Sequence, residues 1–228
     1  MEIINFSDLT DKDKRKVYEF YTNAWRRCLE PELGCDDFDV LIKEVERRFE
    51  DSDKKMPELQ KVLVTKEKTR HIPVVVIRSN IIKVNDNYPL KWIIASGNGR
   101  ADNFDPEGNI MLCYAITRNP DVKVKGANFE ILKERYNFSS SFGLEHLDAY
   151  STLTGFHRFP EIDDPWEYIH KMLEEGISDP VGMHFSYIKR LRNEQGLPEP
   201  KPEDVIMPIP EGRIDPLSKN YNARVRYF

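Results

Sequence analysis

The sequence predicts an α/β (α+β) fold in which a mixed central sheet is flanked by helices. The first observation is a pair of amphipathic helical patterns near the N-terminus, followed by several segments rich in β-branched residues. The second is a strand–loop–helix–strand pattern between residues 110 and 151, a connection that places its two strands parallel. The third is a mixed tail with helical patterns and a final strand pattern. Together they predict a sheet with a parallel central pair.

The size and composition of the chain predict a single domain over residues 1–228. We expect an N-terminal helical part over about 1–55, a central core over about 60–157 and a C-terminal part over about 158–228. A chain of this length buries roughly 70% of its unfolded surface, so it needs neither a disulfide nor a metal to fold. The three cysteines lack CxxC spacing, and no metal is predicted.

Charge and hydropathy argue against several classes of partner. A net charge of -5 and a sequence pI near 5.7 argue against nucleic acid, although a local basic site for a phosphorylated ligand remains compatible with them. No signal-peptide pattern follows Met1, and no apolar run approaches the roughly 18 residues of a membrane span. The sequence therefore predicts a reduced, cytoplasmic protein without membrane contact.

The N-terminal elements follow from periodicity and capping residues. After a strand over 2–6, a helix is expected to begin at Asp11, because Thr10 can cap it and Asp13 completes a pattern like a capping box. The apolar residues of this helix share one face: Val17, Phe20, Tyr21, Ala24, Trp25 and Cys28. A second amphipathic helix is predicted over 37–49. Segments rich in β-branched residues predict strands over 61–65, 73–84 and 110–117.

The later elements alternate between helix and strand patterns. Clusters of Gly, Asn and Pro predict a long loop over 85–109. A helix is expected over 127–136, followed by a turn over 137–142 and a strand over 146–151. The tail is expected to contain helices over 166–175 and 180–192, and a last strand over 222–228.

The connection between the strand at 110–117 and the following helix has the pattern of an anion-binding loop. Lys123 and Lys125 flank the expected anion site, Gly126 allows close approach to the backbone, and Asn128 follows in the first turn of the expected helix. The first N–H groups of a helix lack intrahelical acceptors, and the helix dipole favours negative charge there. The pattern predicts a phosphate-binding loop, and an ordinary charged connection fits the same spacing equally well.

Ser151 and His184 are the candidate residues for chemistry. Ser151 would end a strand beside this loop, where a hydroxyl can stabilise negative charge on a carbonyl oxygen. The alternative is a turn in which the hydroxyl caps its own backbone. His184 lies in a mostly apolar segment that can bury it and shift its pKa, and the alternative is a structural histidine. The sequence has no GxSxG, GxGxxG or P-loop motif and no metal-ligand spacing.

The segment from Cys113 to Phe156 resembles the cofactor-binding core of the GNAT superfamily of acyltransferases. The pyrophosphate loop of that superfamily follows the pattern Arg/Gln-x-x-Gly-x-Gly/Ala. Lys123 and Gly126 match this pattern in kind, and Asn128 replaces the final small residue. The resemblance implies a GNAT-like fold with splayed parallel strands in its mixed sheet. It also implies that the central core binds coenzyme A or an acyl-CoA.

Within that superfamily, the chain is similar to malonyl-CoA decarboxylases and to the GNAT-like loading domains of polyketide synthases. The corner STLTGF at 151–156 matches the Ser, Gly and Phe of the decarboxylase motif Ser-Pro-x-Pro-Gly-Phe but lacks both prolines. The segment DPVGMHF at 179–185 is similar to their Asn/Asp-Pro-Val…Phe-His segment, with the histidine displaced by one residue. Residues 222–228 resemble their ending, and SGNG and DPEGN at 96–109 resemble a loop of the loading domains.

The resemblance also implies roles for individual residues. The positions that would bind CoA are Ile116, Thr117, Lys123, Val124, Lys125, Gly126, Ala127 and Asn128. Ser151 would donate a hydrogen bond to the thioester carbonyl, and His184 would orient a carboxylate or protonate an enolate. The leading expectation is an enzyme that decarboxylates a malonyl-type acyl-CoA or transfers its acyl group, with an amine or a carrier protein as acceptor.

Two alternatives remain open. One is an amine N-acetyltransferase that uses acetyl-CoA, with Tyr114, Glu145 or Tyr150 handling the proton. The other is a catalytically inactive module that binds an acyl-CoA.

Overall fold

A computed structural model of the chain describes residues 1–67, 70–85, 92–209 and 222–227. In these ranges the centre is a sheet of seven strands in the order β1-β2-β3-β4-β5-β7-β6. The strands are β1 (Glu2–Asn5), β2 (Gln60–Glu67), β3 (Arg70–Ile82), β4 (Ile110–Arg118), β5 (His146–Thr152), β6 (Ile206–Ile209) and β7 (Asn222–Arg226). Only β4 and β5 pair in parallel, and the other neighbours are antiparallel. The predicted mixed α/β fold is confirmed.

Helices cover both faces of the sheet. They are α1 (Asp11–Leu33), α2 (Phe38–Asp53), α3 (Trp92–Ala95), α4 (Ala127–Ser141), α5 (Pro165–Glu175), α6 (Pro180–Glu194) and α7 (Pro202–Val205). The helices α1 and α2 pack with Val62, Val64 and Val76 in one hydrophobic cluster. The helices α4, α5 and α6 pack with Leu63, Val75 and Ile77 in the other. Because side chains alternate along a strand, neighbouring residues of β2 and β3 supply opposite cores.

The start of α1 agrees with the capping prediction. The Thr10 hydroxyl accepts a hydrogen bond from the Asp13 N–H and donates one to its carboxylate at 2.8 Å. Asp37 caps α2 by accepting the N–H groups of Asp39 and Val40. Along the predicted apolar face of α1, Ala24 and Cys28 are exposed instead of buried. Leu29, one position after Cys28, is the buried core residue in this part of the helix.

The parallel pair β4–β5 opens into a gap. The two strands pair only from Ile110–Cys113 to His146–Ala149. Beyond that point β4 runs on to Arg118 and β5 to Thr152 without pairing to each other. On the opposite edge of β4, the register with β3 shifts between Arg78 and Ser79, which leaves Tyr114 as the extra residue of a bulge. A bulge increases local twist, and the twist carries the end of β4 away from β5.

Several boundaries differ from the predictions. The turn predicted at 137–142 is mostly helix, because α4 continues to Ser141 and packs Phe138 against the core. The predicted loop at 85–109 contains α3 and a helical turn at Gly97–Ala101, and its residues 86–91 lie outside the described ranges. The strand β6 was not predicted. Residue 228 of the predicted last strand also lies outside the described ranges, and the division of the chain into one domain stays a prediction.

Two negative findings concern the described residues only. In that part of the chain, no helix is long and apolar enough to cross a lipid bilayer. Within the same ranges, no three His, Cys, Asp or Glu side chains are grouped so that they could hold a metal ion.

Candidate active site

The loop at 119–126, here called the anion loop, joins β4 to α4. No side chain of the described residues caps the helix that follows it. Asn119 is buried and organises the loop, because its Nδ2 donates to the Pro73 carbonyl at 3.0 Å and its Oδ1 accepts the Asp121 N–H at 3.0 Å. Gly126 has a φ of 78°, a left-handed conformation that favours glycine, and a Cβ there would meet nothing within 4 Å. The start of α4 is thus uncapped, and the space beside Gly126 is open. Lys123 and Lys125 are exposed in the same loop.

A cavity of about 260 Å³ lies in the gap between the diverging strands. Among the residues that line it, Ile116 comes from β4, Asn128 from α4, Ser151 from β5 and His184 from α6. The structure thus brings together side chains from both ends of the predicted CoA path and both predicted catalytic residues. The Asn128 side-chain oxygen is buried and has no hydrogen-bond partner among the described residues. Buried polar atoms are usually hydrogen-bonded, so this oxygen is available to accept a hydrogen bond from a bound ligand.

The other predicted CoA-binding residues lie around this cavity and do not line it. Thr117 is buried, and its hydroxyl accepts a hydrogen bond from the indole N–H of Trp25 on α1 at 2.8 Å. Its hydroxyl is therefore already hydrogen-bonded to α1. Val124 packs against the hydrophobic core, and its carbonyl accepts a hydrogen bond from Arg118 at 2.9 Å. Ala127 is buried as the first residue of α4.

His184 is almost completely buried, at 4% exposure, and forms a pair with Tyr227. Its Nδ1 lies 2.5 Å from the Tyr227 hydroxyl, and the tautomer of the ring decides which group donates. Burial lowers the pKa of His184 from 6.5 to about 4. The imidazole is therefore neutral near pH 7. It can offer a hydrogen bond from one ring nitrogen, but it is a weak base.

Asp179 connects the corner after Ser151 to the helix that carries His184. Its Oδ1 caps α6 by accepting the Val181 N–H at 3.0 Å. Its Oδ2 accepts the Gly155 N–H at 2.9 Å and the Tyr168 hydroxyl at 3.1 Å. A Cβ on Gly155 would lie 2.2 Å from that hydroxyl, so the corner has no room for a side chain. Asp179 belongs to the DPVGMHF segment noted in the sequence, but no role was predicted for it, although an Asp-Pro pair at a helix start was a usable signal.

A second cavity, of about 210 Å³, lies between α1 and the sheet. Its charged lining residues are Arg78 and the ion pair of Arg48 with Glu32. Its aromatic lining residues are Tyr21, Trp25, Tyr114 and Tyr150. Ser151 and Thr152 line both cavities, so the two cavities meet at the end of β5. Nothing in the sequence pattern predicted this second cavity, because it depends on how α1 crosses the sheet.

No protein-family model matches the sequence, and no curated protein matches it. Among solved structures, the chain is similar to the loading GNATL domain of CurA from Lyngbya majuscula, with 19% identity, 82% of each chain covered and a TM-score of 0.52. Weaker similarity is found to the GphF GNAT-like decarboxylase in complex with isobutyryl-CoA, with 13% identity, 78% of this chain and 82% of that chain covered and a TM-score of 0.38.

A third structure is the aminoglycoside 6′-N-acetyltransferase from Enterococcus faecium, with 9% identity, 100% of this chain and 98% of that chain covered and a TM-score of 0.47. The similarity to the CurA domain concerns the fold alone. In this chain, that fold is built on the seven-stranded mixed sheet in which the parallel strands β4 and β5 diverge. The chain has a GNAT-like fold, as its sequence predicted.

Proposed function

We propose that the protein binds a small acyl-CoA thioester of the malonyl type and acts on it by decarboxylation, acyl transfer or both. The observation that carries this proposal is the cavity between β4 and β5. Asn128, in the first turn of α4 after the anion loop, lines this cavity together with Ser151 and His184. A ligand that enters along the loop would therefore present its reactive end to these two side chains.

The loop and the cavity offer complementary groups to the parts of coenzyme A. The free N–H groups at the start of α4 and the charges of Lys123 and Lys125 suit the diphosphate. The open space at Gly126 allows close approach to the backbone. The orphaned side-chain oxygen of Asn128 suits an amide N–H of the pantetheine arm. The pantetheine would then run along the unpaired edge of β4 toward Ser151.

The side chains at the reacting end suit decarboxylation of a β-carboxyl thioester. In that reaction the bond between the α-carbon and the carboxylate breaks, CO₂ leaves, and the electron pair forms an enolate on the thioester. A hydrogen-bond donor stabilises the enolate oxygen, and the α-carbon then takes a proton from water. The Ser151 hydroxyl and the neutral imidazole of His184 are such donors. A pKa of about 4 favours an orienting role for His184 over that of a charged acid.

Acylation of an amine makes a different demand, because it needs a base for the ammonium proton. Of the candidates for that role, Glu145 begins the turn into β5 and is hydrogen-bonded by Asn109 at 3.2 Å, at the end of the strand opposite the gap. Tyr150 lines both cavities, but burial raises the pKa of its hydroxyl well above the usual value. Neither Glu145 nor Tyr150 is therefore placed to take that proton, and Tyr114, which also lines both cavities, is the remaining candidate for amine acetylation.

The test is incubation of the purified protein with malonyl-CoA labelled in its free carboxylate, with trapping of CO₂ and chromatography of the thioesters. We expect several turnovers to acetyl-CoA, and Ser151→Ala should slow them by about 10²–10³-fold because one donor to the oxyanion is lost. Ser139→Ala is the matched control, since it removes another buried hydroxyl, on α4 and outside the lining of either cavity.

Two results would contradict the proposal. One is wild-type protein that leaves malonyl-CoA intact while it binds CoA thioesters, which would indicate an inactive binding module. The other is protein that binds no CoA thioester at all, since the anion loop would then have another role.

A further inference from the structure

Arg78 supplies a buried positive charge to the wall of the second cavity. It lies on β3 at the bulge opposite β4, and only 1% of the residue is exposed. Its guanidinium lies over the ring of Phe49 at 4.2 Å and near that of Tyr114 at 5.3 Å. Within the described ranges, Arg78 forms no ion pair with any carboxylate. A buried charge of this kind is costly unless a counter-charge or a full set of hydrogen bonds compensates it.

The hydrogen bonds of Arg78 hold the guanidinium without neutralising it. Its Nε donates to the Gln60 side-chain oxygen at 3.0 Å. Its Nη2 donates to the carbonyls of Arg48 at 2.8 Å and Gly99 at 2.7 Å, and to the Ser52 hydroxyl at 3.0 Å. All of these acceptors are neutral, as is the Tyr21 hydroxyl beside the guanidinium, which leaves at least one of the two Nη1 N–H groups without a partner among the described residues. The group is therefore fixed in position by two of its nitrogens and retains donor capacity on the third.

The carboxylates nearest to this wall are already used by other arginines. Arg48 pairs with Glu32 and, at 2.8 Å, with Glu44. Glu44 also pairs with Arg47 and, at 3.0 Å, with Arg100. Burial alone would raise the pKa of Glu44, but the hydrogen bonds from Arg48, Arg47 and Arg100 lower it to about 2. Among the residues that line the second cavity, the charges of Arg48 and Glu32 compensate each other, and Arg78 adds a positive charge without a counter-charge among the described residues. The lining therefore favours an anion over a cation.

We infer that the second cavity binds a carboxylate, with Arg78 as the residue that recognises it. The inference rests on the proposed function, because Ser151 and Thr152 line both cavities and would pass an acyl group from one to the other. The cavity of about 210 Å³ suits a short chain. The carboxylate belongs to the acyl group of the thioester or to a separate acid bound beside it, and in both cases the anion meets the free side of the guanidinium. Arg78 is thus a specificity-determining residue.

A pair of ligands with the same shape and different charge tests this inference. Isovaleryl-CoA replaces the carboxylate of malonyl-CoA by an isopropyl group with the same number of heavy atoms. In calorimetric titrations of the full chain carrying Ser151→Ala, which slows turnover of the thioester, we expect malonyl-CoA to bind about 10- to 100-fold more tightly than isovaleryl-CoA, the range of a charge-assisted hydrogen bond. Arg78→Met should remove this difference and leave the affinity for acetyl-CoA unchanged.

Controls and a second arm separate the possible outcomes. Arg135→Met removes an equally buried arginine, which lies on α4 and outside the lining of the second cavity, and should keep the preference. In the second arm, malonate is titrated into the complex with acetyl-CoA. Binding that depends on Arg78, without a preference between the thioesters, would assign the carboxylate to a separate acid. If Arg78→Met does not fold, Arg78→Gln replaces it, because its amide still donates to neutral acceptors but carries no charge, and it should remove the same preference.

Equal affinity for the two thioesters together with no binding of malonate would overturn the inference. If acetyl-CoA still binds in that case, the proposed function stands and only the role of Arg78 is lost. If acetyl-CoA does not bind either, the proposed function itself fails.

Discussion

Replacing Asp179 by Asn tests whether this carboxylate holds the two halves of the site together. One carboxylate oxygen caps α6, and Asn caps a helix about as well as Asp does. The other oxygen accepts the Gly155 N–H at 2.9 Å and the Tyr168 hydroxyl at 3.1 Å. The Thr154 hydroxyl also donates weakly to this oxygen, at 3.4 Å. An amide NH₂ in that place would face these three donors with no lone pair to offer. The substitution therefore removes two buried, charge-assisted hydrogen bonds and keeps the cap.

The expected cost follows from those two bonds. A hydrogen bond to a charged group contributes about 1.5–3 kcal/mol, and part of this is recovered if Tyr168 turns to another acceptor. We expect Asp179→Asn to lower the free energy of unfolding by about 2–4 kcal/mol. Urea denaturation followed by tryptophan fluorescence would measure it. Turnover of malonyl-CoA should also fall in the folded variant, because Ser151 and His184 lose their common anchor.

The chain provides a matched control for this experiment. Asp164 also precedes a proline and caps a helix, by accepting the Trp166 N–H at 3.0 Å, but it is exposed and makes no second set of hydrogen bonds with the described residues. Asp164→Asn should change the free energy of unfolding by less than about 0.5 kcal/mol. Equal effects of the two substitutions would refute the reasoning, since Asp179 would then act only as a helix cap.

Two further predictions follow from the site. Because burial lowers the pKa of His184 from 6.5 to about 4, the unfolded chain takes up a proton before the folded chain does as the pH falls. Wild type should therefore lose about 2 kcal/mol more unfolding free energy than His184→Gln between pH 7 and pH 5, measured by urea denaturation; identical losses would mean that the imidazole is not buried as described. Combined replacement of Lys123 and Lys125 by Ala should weaken CoA binding about 3- to 10-fold and flatten its dependence on salt in titrations, since exposed charges interact weakly and are screened. An unchanged salt dependence would place the diphosphate elsewhere.

Local signals explain why much of the fold could be predicted. Thr10 and Asp37 cap α1 and α2 through their own side chains, and the β-branched segments became β2, β3 and β4. The failures have a non-local cause. The strand β6 contains Pro208 and exists through its pairing with β7 at the sheet edge. The last turn of α4 is stabilised by packing of Phe138, which no turn signal reveals.

The candidate site shows the same difference between local signals, which the sequence reveals, and non-local contacts, which it does not. The loop from Lys123 to Asn128 is contiguous in the chain, so its pattern is visible in the sequence alone. Ser151 and His184 were candidates, but only the docking of α6 against β5 and β7 brings them to one cavity. Arg78 escaped prediction because it interrupts an otherwise apolar strand, PVVVIRSNII, and its neighbours come from distant segments. Charge placement inside a core is a tertiary property that periodicity does not encode.

The early end of pairing between β4 and β5 gives this sheet two internal edges. A strand edge with unpaired peptide groups ordinarily invites another chain to add to it, and so promotes aggregation. Here both edges are recessed, with Trp25 of α1 and Met183 of α6 among the residues that line the gap. A slender, flexible molecule can reach the peptide groups inside, whereas a neighbouring protein's strand, with side chains on both faces, is too bulky to enter. The recess therefore protects the sheet from self-association while leaving its backbone available for recognition.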